Sequence, residues 1–429
     1  MPKQLYFIES IHTTSNLENP VDVVMIPTVG DEVNQPEFFS FSRQQFRIVE
    51  YGDIHEGQYV FYNDRPDDGA TMFSDGTHTL YAQREIALSN YLRTTLLMLA
   101  SQSGQGILED DKTTSYDHAI VNSYHVNVGH GNCSIILIRQ GDSHQIWMVD
   151  CALYEAPNLV VSWTNHEATF ESCLDDIASE LNMNRQSLFI DHFLLTHMHN
   201  DHYNGLKYLI NKGLVNRRTI YYINLHYQMP SKNLNEILQL MVDKSFNHIV
   251  EPLSCNSTSC IRILHPDCRI YRDQNSILIS ASRYRLESNP NNSSAVYAIL
   301  LAGKIMVFPG DLEMEGFDKM TASANCNPVW NHIDFFVVSH HGSKNGIPYK
   351  QCKSQNKFRT PLLCFRRNLM ISVLMGRDGA FRGIYSKRAC YTYDILSHRG
   401  LYYSEKDSNG SCLRYLSIDW NNGQMYQCI

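Results

Sequence analysis

The chain lacks what a membrane protein carries. None of its 429 residues lie in an unbroken apolar run of the ~18 that a crossing helix needs. Its first residues, Met1-Pro2-Lys3-Gln4-Leu5-Tyr6-Phe7-Ile8-Glu9, contain no long apolar core of the kind that marks a secretion signal. The expectation is a cytoplasmic protein with no membrane partner. Among twelve cysteines there is no Cys-x-x-Cys pair, and Cys255, Cys260 and Cys268, the densest group, are not spaced as a zinc knuckle. They read as reduced and mostly buried thiols. Charge is scarce at 19% of residues against 43% hydrophobic, which excludes a disordered chain.

Charge of one sign is also missing locally. From Lys344 to Arg388 there are eleven basic residues and one acid, Asp378; residues 1–112 hold seventeen acids and seven basic residues. The basic window suits a phosphate-bearing partner, or is a solvated Lys/Arg-rich loop. The acidic segment could take a protein partner.

The length accommodates a large domain with an accessory one. In residues 1–115, short runs (Leu5–Ile8, Val21–Ile26, Phe46–Val49, Tyr59–Tyr62) separated by turn-rich stretches predict strands, and 84–100 predicts an amphipathic helix. This is a small α+β accessory unit of unreadable function. The main domain, 119–429, alternates strands with helices. Strands are expected at 119–128, 133–138, 145–150, 219–225, 261–264, 294–301, 304–308, 333–338, 401–404 and 413–418, with helices at 170–181, 206–210 and 234–242. Gly303 is expected to turn the hairpin joining 294–301 to 304–308. The fold class is layered α/β.

Thr196-His197-Met198-His199-Asn200-Asp201-His202 follows a short apolar strand and precedes a helix. Three imidazoles and a carboxylate at one strand end are what a divalent transition metal requires. His226, Asp311 and His340 stand at further strand ends. Two metals can be served: His197 and His199 for one, with His226 a candidate third nitrogen or a structural histidine; Asp201, His202 and His340 for the other; Asp311 between them. Paired metals activate water and stabilise both attacking and leaving oxygens.

The His-x-His-x-Asp-His run at 197–202, Gly310-Asp311 and His340-His341-Gly342-Ser343 together resemble the metallo-β-lactamase superfamily. Val128-Gly129-His130-Gly131-Asn132, Asn292-Ser293-Ser294-Ala295-Val296 and Tyr385-Ser386 are similar to elements of the soluble hydrolase domain of the competence protein ComEC, over roughly 119–420. The resemblance implies an αββα sandwich with zinc or manganese as the usual metals. It implies His197, His199, Asp201, His202, Asp311 and His340 as ligands, and Asp150 as the buried carboxylate that orients them. His341 would orient His340 or touch substrate, and Asn292, Ser343 and Lys344 would face the substrate. The chain departs from the pattern at Asn127, His130 and Asn132, around the ligands rather than at them.

The expected function is therefore metal-dependent hydrolysis, as a phosphodiesterase or nuclease acting on nucleic acid or nucleotides. The competing expectations are hydrolysis of a lactone, thioester or β-lactam, and a partner-regulated effector whose metal is structural.

Overall fold

The computed structural model describes 4–12, 21–27, 37–41, 59–63 and 71–74 as backbone strands, and then 116–155, 164–223, 232–246, 248–252, 257–265, 290–313, 316–317, 320, 332–343, 346, 350–352, 357–359, 369–376, 401–404 and 411–429. The expected strand at 46–49, the helix at 84–100 and the polar stretch 266–289 lie outside the described residues.

Strands β1 (Gln4–His12), β2 (Val21–Pro27), β3 (Glu37–Phe41), β4 (Tyr59–Asn63) and β5 (Thr71–Ser74) form their own antiparallel sheet, in the order β3-β2-β1-β4-β5. Along the rest of the chain come β6 (Ile120–Val126), β7 (Cys133–Gln140), β8 (Ser143–Cys151), and the short pair β9 (Tyr154–Glu155) and β10 (Thr164–Asn165). Helix α1 (Glu167–Glu180), β11 (His192–Leu194), α2 (Asn200–Tyr203), α3 (Leu206–Asn211), β12 (Ile220–Tyr222), α4 (Lys232–Asp243) and β13 (Ile249–Val250) follow. Then come β14 (Ile261–His265), β15 (Val296–Leu301), β16 (Lys304–Phe308), β17 (Phe335–Val337), the ribbon strands β18 (Lys350–Cys352) and β19 (Lys357–Arg359), β20 (Ile371–Leu374), β21 (Leu401–Tyr403), β22 (Tyr415–Asp419) and β23 (Gln424–Cys428).

Two mixed sheets dominate. One runs β13-β12-β11-β8-β7-β6-β22-β23, the other β14-β15-β16-β17-β20-β21. Each passes from antiparallel neighbours to parallel ones, at β8–β11 and at β16–β17. The sheets face each other across one apolar layer. Val121, Ile136, Trp147 and Val149 from the first meet Tyr297, Ile299, Phe335 and Val373 from the second. Trp420 packs on Phe335 with ring centres 5.5 Å apart, and Tyr222 meets Tyr297 edge-on at 6.2 Å. Full burial of such side chains contributes about 1.5–3 kcal/mol each.

The outer face of the first sheet is covered by helices. In α1 the buried residues are Phe170, Cys173, Leu174, Ile177 and Ala178, the one-sided spacing of a surface helix. Leu234, Ile237, Leu238 and Met241 of α4 join the same layer. The hairpin β15–β16 turns at Ala302 and Gly303, with φ of 49° and 69°. Two consecutive positive φ values make the primed turn that matches strand twist.

The described fold is thus mixed α/β with few helices. Among the described residues, six cysteines are free: Cys133, Cys151, Cys173 and Cys260 are buried, Cys428 is half-buried and Cys412 is exposed. No helix among the described residues is long and apolar enough to cross a membrane.

Candidate metal centre

The site lies where strands of both sheets end. β8 and β11 are parallel neighbours, with Leu194 beside Val149, so Asp150 and Thr196 emerge side by side. In the other sheet, β16 leads into Gly310-Asp311, β17 into His340-His341, and β20 into Met375. Carboxyl ends of parallel strands are where open α/β sheets place their ligands. The two sheets are stitched together here: Ala295 N donates to Thr196 O at 2.6 Å, and the Tyr297 hydroxyl to Leu195 O at 2.9 Å.

Asp150 is the anchor. It is buried and takes φ of 56°, next to a register shift in the β7–β8 ladder. Its carboxylate accepts from Thr196 N (2.8 Å) and Thr196 Oγ1 (2.8 and 3.0 Å), and lies 2.8 Å from His202 Nδ1. An ionised carboxylate only accepts, so His202 carries a proton on Nδ1 and turns Nε2 outward. That atom lies 3.2 Å from Asp311 Oδ1 and 3.9 Å from Asp201 Oδ1.

Asp311 is held by backbone contacts. Its N donates to Ser294 Oγ at 3.2 Å, and the preceding Gly310 takes φ of 58°. A Cβ on Gly310 would sit 2.6 Å from Thr196 Cβ and Oγ1, so only glycine lets this turn press against Asp150's partner. Asp311 Oδ2 faces His341 Nε2 at 3.5 Å, and His197 and His340 Nε2 at 3.9 Å each. His341 also reaches Asp201 Oδ2 at 3.1 Å, while its Nδ1 faces Met375 O at 3.2 Å.

Two sets of potential ligands result among the described residues, sharing Asp311: His197, His199 and Asp311; and Asp201, His202, Asp311 and His341. Nε2 of His197, His199 and His202 and Oδ1 of Asp201 and Asp311 are buried without a hydrogen-bond partner. Buried polar atoms in that state cost about 1–3 kcal/mol each unless something satisfies them. Imidazole nitrogen and carboxylate oxygen with no thiol suit zinc or manganese.

Electrostatics agree with a site built for positive charge. Burial pushes His197 well below the usual imidazole range, with His202 and His199 adding to it, and pushes His199 down to about 4. Burial also opposes charge on His202 and His341. Nearby carboxylates outweigh it, holding His202 well above the ordinary value and His341 up at about 9. Burial works against Asp201 and Asp311 as well, yet the adjoining histidines keep both carboxyls below their usual range.

The structure brings together Asp150, His197, His199, Asp201, His202, Asp311, His340 and His341, but with the last two exchanged. His341 joins the set expected for His340. His340 turns Nδ1 toward Glu313 Oε1 at 3.2 Å. The cause is the backbone: both residues take left-handed φ, 50° and 48°, so consecutive rings point to different sides of Asp311. Asn292 and Ser343 are buried, and their side-chain oxygens accept from backbone N–H groups. Asn292 Oδ1 accepts from Glu313 N (3.2 Å) and Gly316 N (3.1 Å), and Ser343 Oγ accepts from Gly346 N (3.3 Å). His226 and Lys344 lie outside the described residues. Sequence reasoning missed Thr196, Asn291 and Glu313. Glu313 had a signal, being an acid two residues beyond Asp311.

His130 closes one side. Its ring lies tilted against His341 with centres 4.3 Å apart, and its Nε2 is 3.8 Å from Asp201 Oδ2. The loop is pinned by Asn132 N donating to Asp201 O at 3.1 Å. Asp201, 23% exposed in its side chain, is the most open group of the cluster, so solvent reaches the site past it. The chain matches no protein-family model and no curated protein.

Proposed function

We propose that the chain is a metal-dependent hydrolase of the metallo-β-lactamase type, acting on phosphodiesters in nucleic acid or nucleotides. One observation carries the reading: three imidazole nitrogens and two carboxylate oxygens, on His197, His199, His202, Asp201 and Asp311, are buried in one cluster without a hydrogen-bond partner. Facing sheets with helices on an outer side, and the site at strand ends, support the αββα assignment.

His197, His199 and Asp311 would hold one ion, and Asp201, His202, Asp311 and His341 a second. Such ions supply a water of lowered pKa and neutralise charge developing on phosphoryl oxygens. The protein's own contribution is orientation. Asp150 fixes the His202 ring, Met375 O fixes His341, and the Gly310 turn fixes Asp311. His130 and Asp201 border the side on which a substrate enters.

The phosphodiester assignment over a carbonyl substrate rests on the basic window, which starts right after the His340–Ser343 turn. Two of its segments, β18 and β19, pair so that Lys350 stands opposite Arg359.

The test combines metal analysis by mass spectrometry with turnover of bis-p-nitrophenyl phosphate, DNA and RNA. Asp201→Ala is expected to lose metal and to drop phosphodiesterase activity by about two orders of magnitude or more, ~3 kcal/mol of transition-state stabilisation. Absence of metal in the wild type, with no difference between the two proteins, would sink the reading. Turnover of nitrocefin or a lactone without phosphodiester cleavage would assign acyl chemistry instead.

A further inference from the structure

A second histidine–carboxylate couple sits against the centre and has no part in the reading above. His340 Nδ1 lies 3.2 Å from Glu313 Oε1. The Asn291 side-chain amide donates to that same oxygen at 3.0 Å, and its nitrogen is 3.4 Å from His340 Nε2. All three residues are buried. An ionised carboxylate cannot donate, so the nitrogen facing it bears the proton. His340 therefore carries a proton on Nδ1, and its Nε2 is turned to the opposite side, toward Asp311. That atom faces Asp311 Oδ2 at 3.9 Å, the same distance at which His197 Nε2 faces that oxygen.

The arrangement repeats the Asp150–His202 couple on the other side of Asp311. There a carboxylate 2.8 Å from Nδ1 aims Nε2 at Asp311 Oδ1. Each oxygen of Asp311 thus has its own carboxylate-oriented histidine. The second couple is also braced through the backbone. Asn292 Oδ1 accepts from Glu313 N at 3.2 Å, and His340 N donates to Gly310 O at 3.1 Å. His340 holds φ of 50°, a conformation costing about 1–2 kcal/mol that persists only where surroundings impose it.

We infer that Glu313 is a positioning residue: it holds His340 with Nε2 toward Asp311 Oδ2, and through that ring sets the metal affinity of the His197–His199–Asp311 group. The inference rests on the metal-hydrolase reading. Carboxylates standing behind a histidine near a metal typically control affinity by about 10–100-fold.

The experiment measures zinc affinity and stoichiometry by chelator competition, and the visible absorption of the cobalt-substituted protein. The proteins are wild type, Glu313→Leu, Glu313→Gln, His340→Asn and Glu313→Leu combined with His340→Asn. Glu313→Leu is expected to weaken one ion by about 10–100-fold and to shift the cobalt spectrum. Glu313→Gln keeps an oxygen that can accept from both His340 and Asn291, and should stay near wild type. In the His340→Asn background, Glu313→Leu should add nothing. The inference is overturned if Glu313→Leu binds both ions like wild type, or if its effect persists undiminished without His340. Should Glu313→Leu fail to fold, an unchanged affinity and spectrum for His340→Asn overturns it equally. A wild type that binds no metal removes the hydrolase reading itself, whereas a metal-binding wild type with indifferent variants removes this inference alone.

Discussion

Asp311 concentrates the chemistry of the site into two oxygens. Oδ1 faces His202, and Oδ2 faces His197, His340 and His341. Away from this cluster, two other buried histidines behave differently. His125, bonded to Ser123 and Ser134, and His192, packed on Trp147, are both pushed by burial down to about 3. In the unfolded chain they would titrate near 6.5. The folded state therefore resists their protonation, and the unfolded state binds more protons between the two values. Their contribution to stability is full above pH ~6.5 and is lost as pH falls toward ~3. Urea unfolding followed across that window should show stability falling with pH, by up to several kcal/mol per ring. His192→Phe should make the acid limb shallower. An unchanged slope in that variant would show that His192 is not buried as a neutral ring.

Among the elements, the turns divide the work. Gly303 and Gly310 both hold positive φ, 69° and 58°. A Cβ at Gly303 meets nothing within 4 Å, whereas at Gly310 it meets Thr196 at 2.6 Å. Gly303→Ala should therefore cost only the left-handed backbone, about 1 kcal/mol, and leave metal binding intact. Gly310→Ala adds a clash that separates Thr196 from Asp311. Its thermal midpoint should fall further, by a ΔΔG of about 2–4 kcal/mol, with loss of metal. Equal effects in thermal denaturation and metal titration would refute the distinction. The elements themselves were largely legible. Helix α1, expected from 170–181, spans Glu167–Glu180, and the hairpin turns at Gly303 as expected. Their signals are local: apolar period, β-branched runs and a glycine in a turn. Strands β3 (Glu37–Phe41) and β5 (Thr71–Ser74) of the N-terminal sheet were not anticipated.

For the molecule as a whole, charge is segregated along the chain, acidic over 1–112 and basic over 344–388, on a net of −8. If the basic window meets nucleic acid, affinity is dominated by counterion release. Binding of single-stranded DNA should then weaken linearly in log–log plots against salt, by about two to three orders of magnitude between 50 and 200 mM for five or six phosphate contacts. Fluorescence anisotropy across that range checks it. No binding at the lowest salt would leave the window as a solvated surface.

The sequence by itself determined the ligand types and the strand ends that carry them. His197 to His202 lie within six residues, and Asp311 directly follows a glycine, so both signals are read from adjacent residues. Only the tertiary structure decided how the distant pieces meet. It turned His341 rather than His340 onto Asp201, paired His340 with Glu313, and committed Asn292 and Ser343 to the backbone. The reason is that side-chain direction at a strand end depends on the backbone dihedrals of each residue. Asp150, His340 and His341 all take left-handed φ, and they do so where the strand ends of the two sheets meet.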